Sequence, residues 1–553
     1  MICKKNDFSL TSAPFYITMN VEFTLTEVLM KRIGFYLCIL LMLFSLTSCG
    51  GEGATPPSTD AVTEAEVPTD CSSSAPAVET EQSPPYTVTV TCDLPEGVTL
   101  TGGALIQTVM SAADYKPVEL AVWADYIYGG YEVNGVLCEG TTLTLPEEIT
   151  GDTEIRIRLS YLTDELPVVS ISTDGMAITS KEEYIPMTFS LTGCDEELWH
   201  VAGGIRVRGN STSTFPKLPY RIRFAQKQSL FGLDKAKSWV LLADYLDPST
   251  LHNYAALSLA ASSDNFSFVP TPHKVNLYLN GAYAGVYTLC EQVQEQPGRL
   301  DLEMTITEDM TELSDYNFLI CMNHNASEKA GAVRGETYFY LRNCDRYFEL
   351  EYPTMEDFPT EAQFDSFMDL LTDYMEDVVN ACMEGSRSYL TRNVDMDSLI
   401  DLFIVDQIMG ERDHHWKSVF MYYTGAAGEA KLHFGPPWDY DFCMFTQWTA
   451  EPNEEFVIHN KINVAEAGVF FYPILYNSHF YDKAKERYRT HFADVLTDLI
   501  EDVERQADAM AESLALNQDR WYEEKPTITE DNVEFFLEYL KARKSYLSRE
   551  WRN

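Results

Sequence analysis

The chain has 553 residues, 45% of them hydrophobic and 12% aromatic, with a formal net charge of −45. That length calls for two to four structural units, and the apolar content supports real cores, which excludes a disordered chain. The acid excess excludes nucleic acid as a general partner, because phosphate backbones need a basic surface.

Residues 1–29 carry no targeting logic of their own, and translation is expected to start at Met30. Met30-Lys31-Arg32 is followed by the apolar run "IGFYLCILLMLFSL" and then by Thr47-Ser48-Cys49, the order of a signal peptide. Leu46-Thr47-Ser48-Cys49 resembles a bacterial lipobox, so residues 30–49 are read as a lipoprotein signal peptide with Cys49 as the lipidated residue. The apolar run is short for a membrane span. The expected location is the extracytoplasmic face of a bacterial membrane, held by the lipid.

Residues 50–86 are rich in Pro, Ser, Thr, Ala and Glu. Such a stretch buries too little apolar surface to offset chain entropy, and it is read as a disordered tether. Residues 87–165 form a small all-β module: "YTVTVTCDL", "TTLTLPEEI" and "TEIRIRLSYL" alternate, with Gly-rich breaks. The nine cysteines after Cys49 are odd in number, widely scattered and free of any C-x-x-C pair, so neither a disulfide framework nor a structural zinc site is expected.

Residues 166–553 form the main unit. Strand signals dominate to about residue 350. "IRVRGNSTSTFPKLPYRIRF" (205–224) holds two alternating runs around a polar loop. "HKVNLYLNGAYAGVYTLCEQV" (273–293) is a hairpin, with Asn280-Gly281 as a type I′ turn pair. "SWVLLADYLDPSTLHNYAALSLA" (238–260) starts as a strand and becomes a helix near Pro248. Beyond 355 the apolar spacing turns to three and four. Asp395 caps the helix running to Met409, and the nearby acids fail as a calcium loop because Ser398 and Ile404 stand where Gly and Glu belong. Residues 419–442 return to strand, and the last eighty residues are helical, with Val533, Phe536, Leu537, Leu540 and Leu547 on one face. The fold class is α+β, a β-rich part followed by a mostly helical part, a layout in which ligands sit between the parts.

Two segments carry candidate chemistry. In "GPPWDYDF" (435–442), Asp439 and Asp441 are two apart after the strand "KLHF" and would share one face if the extension continued. Two such carboxylates repel unless a cation lies between them, and hard oxygens suit Mg²⁺ or Mn²⁺. "GERDHHWKSVFMYY" (410–423) puts Asp413 at a helix end, just before the hairpin that leads to Asp439. His414 and His415 read as exposed loop histidines. Positive charge comes from Arg206, Arg208, Lys217, Arg221 and Arg223, around Gly209-Asn210-Ser211-Thr212, a set suited to phosphates.

Taken in order, "RVRGNSTSTFPKLPYRIRF", "SWVLLADYLDPSTLHNYAALSLA", "VNLYLNGAYAGVYTLCEQVQ", "GERDHHWKSVFMYY" and "GPPWDYDF" resemble the CotH family, the spore-coat protein H kinases, from about Leu166 to the C-terminus. The resemblance implies a two-lobed atypical protein-kinase fold that uses ATP and Mg²⁺ to phosphorylate Ser or Thr of a partner surface protein. The chain is expected to be a monomer. It implies Asp413 as the catalytic aspartate, and Asp439 as metal ligand with Asp441 and Ser418 beside it. Arg208, Asn210 and Lys217 fall on the nucleotide side, with Glu291 as partner of Lys217. The chain departs from the family where Glu411 replaces a frequent Asn; five residues after the Asp the family often has Asn or Ser, and here it is Ser418, a poorer metal ligand than Asn. The alternative reading is a catalytically inactive binding or scaffold protein of the same fold.

Overall fold

The computed structural model describes residues 86–91, 98–122, 126–138, 142–145, 151–161, 166–323, 337–411, 413–426, 428–443, 468–522 and 532–552. The expected start region, the signal peptide, Cys49, nearly all of the tether, Cys71, Cys92 and Arg412 lie outside the described residues.

The alternating runs of the N-terminal segment become strands β1 (Tyr86–Thr91), β2 (Val98–Gly102), β3 (Ile106–Val109), β4 (Val118–Val122), β5 (Tyr126–Val133), β6 (Val136–Cys138), β7 (Thr142–Leu143) and β8 (Thr153–Tyr161). They form two sheets, ordered β3-β1-β8-β5-β6 and β2-β4-β7. Val88, Val118, Tyr131 and Ile155 are among the residues that fill their shared core.

A closed barrel follows, built from β9 (Val168–Ser172), β10 (Ile185–Thr192), β11 (Leu198–Val207), β12 (Tyr220–Gln228), β13 (Ala236–Leu242), β14 (His273–Leu279) and β15 (Ala282–Glu291). Strand periodicity sets the barrel's two faces. Ile205, Val207, Tyr220, Ile222 and Phe224 point into its core, so Arg206, Arg208, Arg221 and Arg223 are left on the outside. The β14–β15 hairpin has the expected turn: Leu279 pairs with Ala282, and Asn280 and Gly281 take φ of 50° and 83°. The strand-to-helix passage near Pro248 is also present, from β13 into α1 (His252–Ala261).

A second sheet, ordered β17-β18-β16-β19-β20, comprises β16 (Asn317–Met322), β17 (Tyr338–Leu341), β18 (Arg346–Tyr352), β19 (Val419–Thr424) and β20 (Leu432–Phe434). The hairpin expected within 419–442 is therefore not free-standing. It extends this sheet through the pairing of Asn317 with Thr424 and Met322 with Val419. Its alternation serves two neighbours. Leu319, Cys321, Phe420 and Tyr422 pack with Val240 and Leu242 of the barrel wall and with Trp438. Phe318, Ile320, Met421 and Tyr423 pack into the helical core. A sheet buried on both faces explains why β16 and β19 are apolar almost throughout.

The helices are α2 (Glu361–Glu384), α3 (Arg387–Asn393), α4 (Met396–Met409), α5 (Gly468–Tyr476), α6 (Ser478–Arg487), α7 (Ala493–Ala509), α8 (Ala511–Trp521) and α9 (Asn532–Glu550), with one π-turn segment at Tyr488–Phe492. Thr360 caps α2 and Asp395 caps α4, each side chain accepting from a backbone N–H three residues on; both helices stop at a left-handed glycine, Gly385 and Gly410. Every α4 residue but Asp397 is buried. Its apolar residues sit all round because it runs through the core rather than along the surface. Asp401 and Asp406 are buried there too; Asp401 pairs with Arg487 at 2.8 Å, and it accepts from Ser263 and Asn265. Phe536, Leu537, Leu540 and Leu547 are buried on α9 as their spacing implies, with Val533 packed alongside.

The described cysteines, Cys138, Cys194, Cys290, Cys321, Cys344, Cys382 and Cys443, are free thiols. Among the described residues no helix is long and apolar enough to cross a membrane.

Candidate functional site

A cleft of about 850 Å³ lies where the outer face of β11 and β12 meets the loop after α4 and the segment after β20. Both acidic segments and most of the basic strand residues line it, including Asp413, Asp439, Asp441, Arg206, Arg208 and Arg221.

Asp413 is buried and held from three directions, by Glu411 before it and by Trp416 and Lys417 in the turn that follows. Its backbone N–H donates to Glu411 Oε1 at 2.6 Å, Trp416 Nε1 donates to Oδ1 at 3.1 Å, and Lys417 Nζ lies 2.7 Å from Oδ2. Burial foremost, set against the nearby His414, leaves the Glu411 carboxyl pushed up to about 7. Burial disfavours the Lys417 ammonium, yet Asp439 and Asp413 outweigh it and hold that group above the ordinary lysine value.

His414 corrects the sequence reading. It is a buried residue, with Nδ1 3.0 Å from Asp406 Oδ2 on α4 and Nε2 2.9 Å from the Trp438 carbonyl. Burial opposes its charge, but Asp406 and Glu411 raise its pKa to about 10. Both ring nitrogens therefore carry protons and donate. The Tyr440 hydroxyl donates to the same carboxylate at 2.8 Å. One buried imidazolium thus ties the Asp413 loop to the segment that carries Asp439 and Asp441. His415 is half-buried, stacked on Trp416.

The strand after the hairpin ends at Phe434, so the extension does not continue through the two acids. Gly435-Pro436 is a cis peptide, and Asp439 sits at φ 70° in the left-handed region. Shared direction along a strand is not what brings the acids together. Instead, Ser418 Oγ donates to Asp439 Oδ2 at 2.7 Å, and Asn253 Oδ1 accepts from the Tyr440 N–H at 2.8 Å. Burial first, then the Asp439 carboxylate, pushes the Asp441 carboxyl well above the usual range. Among the described residues no group of three or more His, Cys, Asp or Glu is spaced to hold a metal ion by itself.

The opposite wall is basic. Arg206 and Arg221 are direct cross-strand partners, and each has a buried Nε without a hydrogen-bond partner. Like charges placed opposite each other repel, and an anion in the cleft would relieve that. The Arg208 guanidinium lies over the Trp438 ring, 5.3 Å from its centroid. Burial lowers its pKa, and Asp439 opposes the shift. Gly209, at φ 88°, shapes the loop between these strands: a Cβ there would meet Thr212 Oγ1 at 2.0 Å. Asn210 is exposed and makes a long 3.5 Å contact with Asn323, which donates to Glu349 at 2.7 Å.

Two residues assigned to the nucleotide side lie elsewhere. Lys217 is fully buried behind the cleft wall; its ammonium donates to the Val286 carbonyl at 2.5 Å and sits 4.5 Å from the Tyr287 ring centroid. Burial holds its pKa well below the ordinary lysine value. Glu291 is also buried, and its carboxylate accepts from the Thr271 N–H at 2.7 Å. The expected Lys217–Glu291 pair is not formed, because the two side chains end on different backbone groups. The sequence reading also passed over Lys417, Trp416 and Trp438, which line the cleft. Lys417 follows Asp413 by four residues, a spacing that favours an ion pair and was a usable signal.

The family model for "CotH kinase protein" matches residues 205–547. No curated protein matches the chain.

Proposed function

The chain belongs to the CotH kinase family, and from that premise we propose that it is a surface phosphotransferase, passing phosphate from ATP to Ser or Thr hydroxyls of partner surface proteins. The observation that carries this reading is one cleft with carboxylates on one wall, Asp413, Asp439 and Asp441, and arginines on the other, Arg206, Arg208 and Arg221. Phosphoryl transfer asks a protein chiefly for positioning and charge stabilisation, and opposed walls of this kind supply both. The barrel side and the helical side are read as the two lobes of an atypical kinase.

The donor set fits Mg²⁺. That ion takes one or two carboxylates and completes its shell with phosphates and water. Burial beside Asp439 already works against the charged form of Asp441, which a cation would relieve. Asp439 and Asp441 would hold the ion, with Ser418 Oγ as a further oxygen, and bound there it would neutralise charge on the phosphates. Arg206, Arg208 and Arg221 bind the phosphate tail. Asp413 orients the acceptor hydroxyl and takes its proton; each of its oxygens accepts one donor in this structure and keeps a lone pair for another. Trp416 fixes the direction of that carboxylate. The lipid anchor at Cys49 and the tether over 50–86 would present the unit outside the membrane.

Melting the purified protein with Mg²⁺ and ATP tests this reading. A ligand that binds only the folded state stabilises it by about 2.7 kcal/mol at a hundred times its Kd. The expected result is a rise in Tm with both present, followed by phosphate incorporation into surface proteins from labelled ATP. No shift at millimolar concentrations would leave the inactive binding-protein reading in its place.

A further inference from the structure

We propose that Lys417 is a built-in counter-ion that occupies the acidic end of the cleft before any divalent ion arrives, making metal binding conditional on the phosphates that come with it. This rests on the phosphotransfer reading for the metal's place at Asp439 and Asp441 and for the identity of the anion; the occupancy of Asp413 by Lys417 stands on the geometry. Lys417 Nζ lies 2.7 Å from Asp413 Oδ2. The next residue, Ser418, hydrogen-bonds Asp439 at 2.7 Å and takes a left-handed φ of 62°. A single turn therefore sets the ammonium on one acid and a hydroxyl on another. Lys417, Asp413, Asp439 and Asp441 all line the same cleft.

The electrostatics run the same way. The pair with Asp413 fixes this ammonium in the cleft that Asp439 and Asp441 also line, so one positive charge is already held among three carboxylates. A divalent cation entering beside Asp439 meets the repulsion of the lysine already there. Phosphates add negative charge, and the lysine is then attracted to them and away from Asp413. The metal and the anion should therefore bind together far better than the metal alone.

The test is Mn²⁺ binding to the purified protein, read from the loss of the free-ion electron paramagnetic resonance signal without nucleotide. Wild type is expected to bind Mn²⁺ weakly without an anion, and to retain the preformed Mn²⁺–tripolyphosphate complex more tightly in equilibrium dialysis. Lys417→Met is expected to bind Mn²⁺ at least about tenfold more tightly without any anion, while Lys417→Arg, which keeps the charge, stays at the wild-type level. Lys417→Gln, which keeps a donor but no charge, gives the same reading if methionine impairs folding. Equal Mn²⁺ affinity in wild type and both neutral variants would overturn the proposal. A gain in the neutral variants, with no ATP-dependent Tm shift in wild type, would keep this proposal and sink the phosphotransferase reading instead.

Discussion

The His414 imidazole and the Asp406 carboxylate are buried 3.0 Å apart, joining the Asp413 loop to the last turn of the core helix α4. The second ring nitrogen reaches the Trp438 carbonyl, one residue before Asp439. The relative position of the two acidic segments therefore depends on a charge that sits nowhere on the cleft surface.

This pair makes stability depend on pH in a definite direction. The His414 pKa is about 10 in the fold and near 6.5 in an unfolded chain. A raised pKa stabilises the fold fully below the unfolded value and loses that effect as pH rises through the folded value. Tm is expected to fall between about pH 6.5 and 10. Removing the ring by His414→Ala leaves Asp406 buried without its charge partner, a loss of about 3–5 kcal/mol. Melting curves over that pH range check both, and a Tm that climbs steadily from pH 7 to 10 would contradict the assignment.

Asp439 holds a left-handed backbone angle that Asn tolerates and Ala does not, at a cost of about 1–2 kcal/mol. Asp439→Asn is thus the cleaner way to remove the charge. Its Tm is expected to stay close to wild type. Phosphate transfer is expected to drop by more than the about 10–100-fold that follows loss of an outer partner of a metal site. Retained transfer would remove this acid from the site.

Lys217 and Arg208 should respond differently. Lys217 is sealed behind the wall, whereas Arg208 lies in the cleft over Trp438. In Lys217→Met the nucleotide-dependent Tm shift is expected to persist; in Arg208→Met it is expected to vanish. The opposite pattern would mean that the buried lysine reaches the phosphates after a rearrangement of the barrel wall.

Arg221 faces Arg206 directly across the ladder, each with an unpartnered Nε. Arg221→Met relieves a repulsion of about 0.2–1 kcal/mol. In low-salt buffer free of phosphate, Tm is expected to rise slightly. Tripolyphosphate, expected to stabilise wild type, should lose most of that effect in the variant. Equal stabilisation of both proteins would show that anions bind elsewhere.

Much of the architecture was legible along the chain because it follows from local periodicity. Alternation marked β11, β12 and the β14–β15 hairpin, and it separated Arg206 and Arg208 from the inward Ile205 and Val207. The acidic segments were legible as motifs, and the order of five such motifs gave the family. Less was legible about burial. "LIDLFIVDQIM" carries Asp401 and Asp406 inside an apolar run, which already called for buried partners, but nothing in the order of residues says that Arg487 answers one and His414 the other.

The sequence by itself determined the alternating strands, the amphipathic helices, the Asp395 cap and the residue types of the candidate site, since these depend on neighbours a few positions away. Only the tertiary structure decided that Lys217 is walled in, that Glu291 ends on a backbone N–H, that His414 is a buried charge, and that Lys417 occupies the acidic end of the cleft. Whether a charged group faces solvent, a carbonyl or another charge is fixed by chain segments distant in sequence. A side chain's desolvation and its partners are properties of the packed whole.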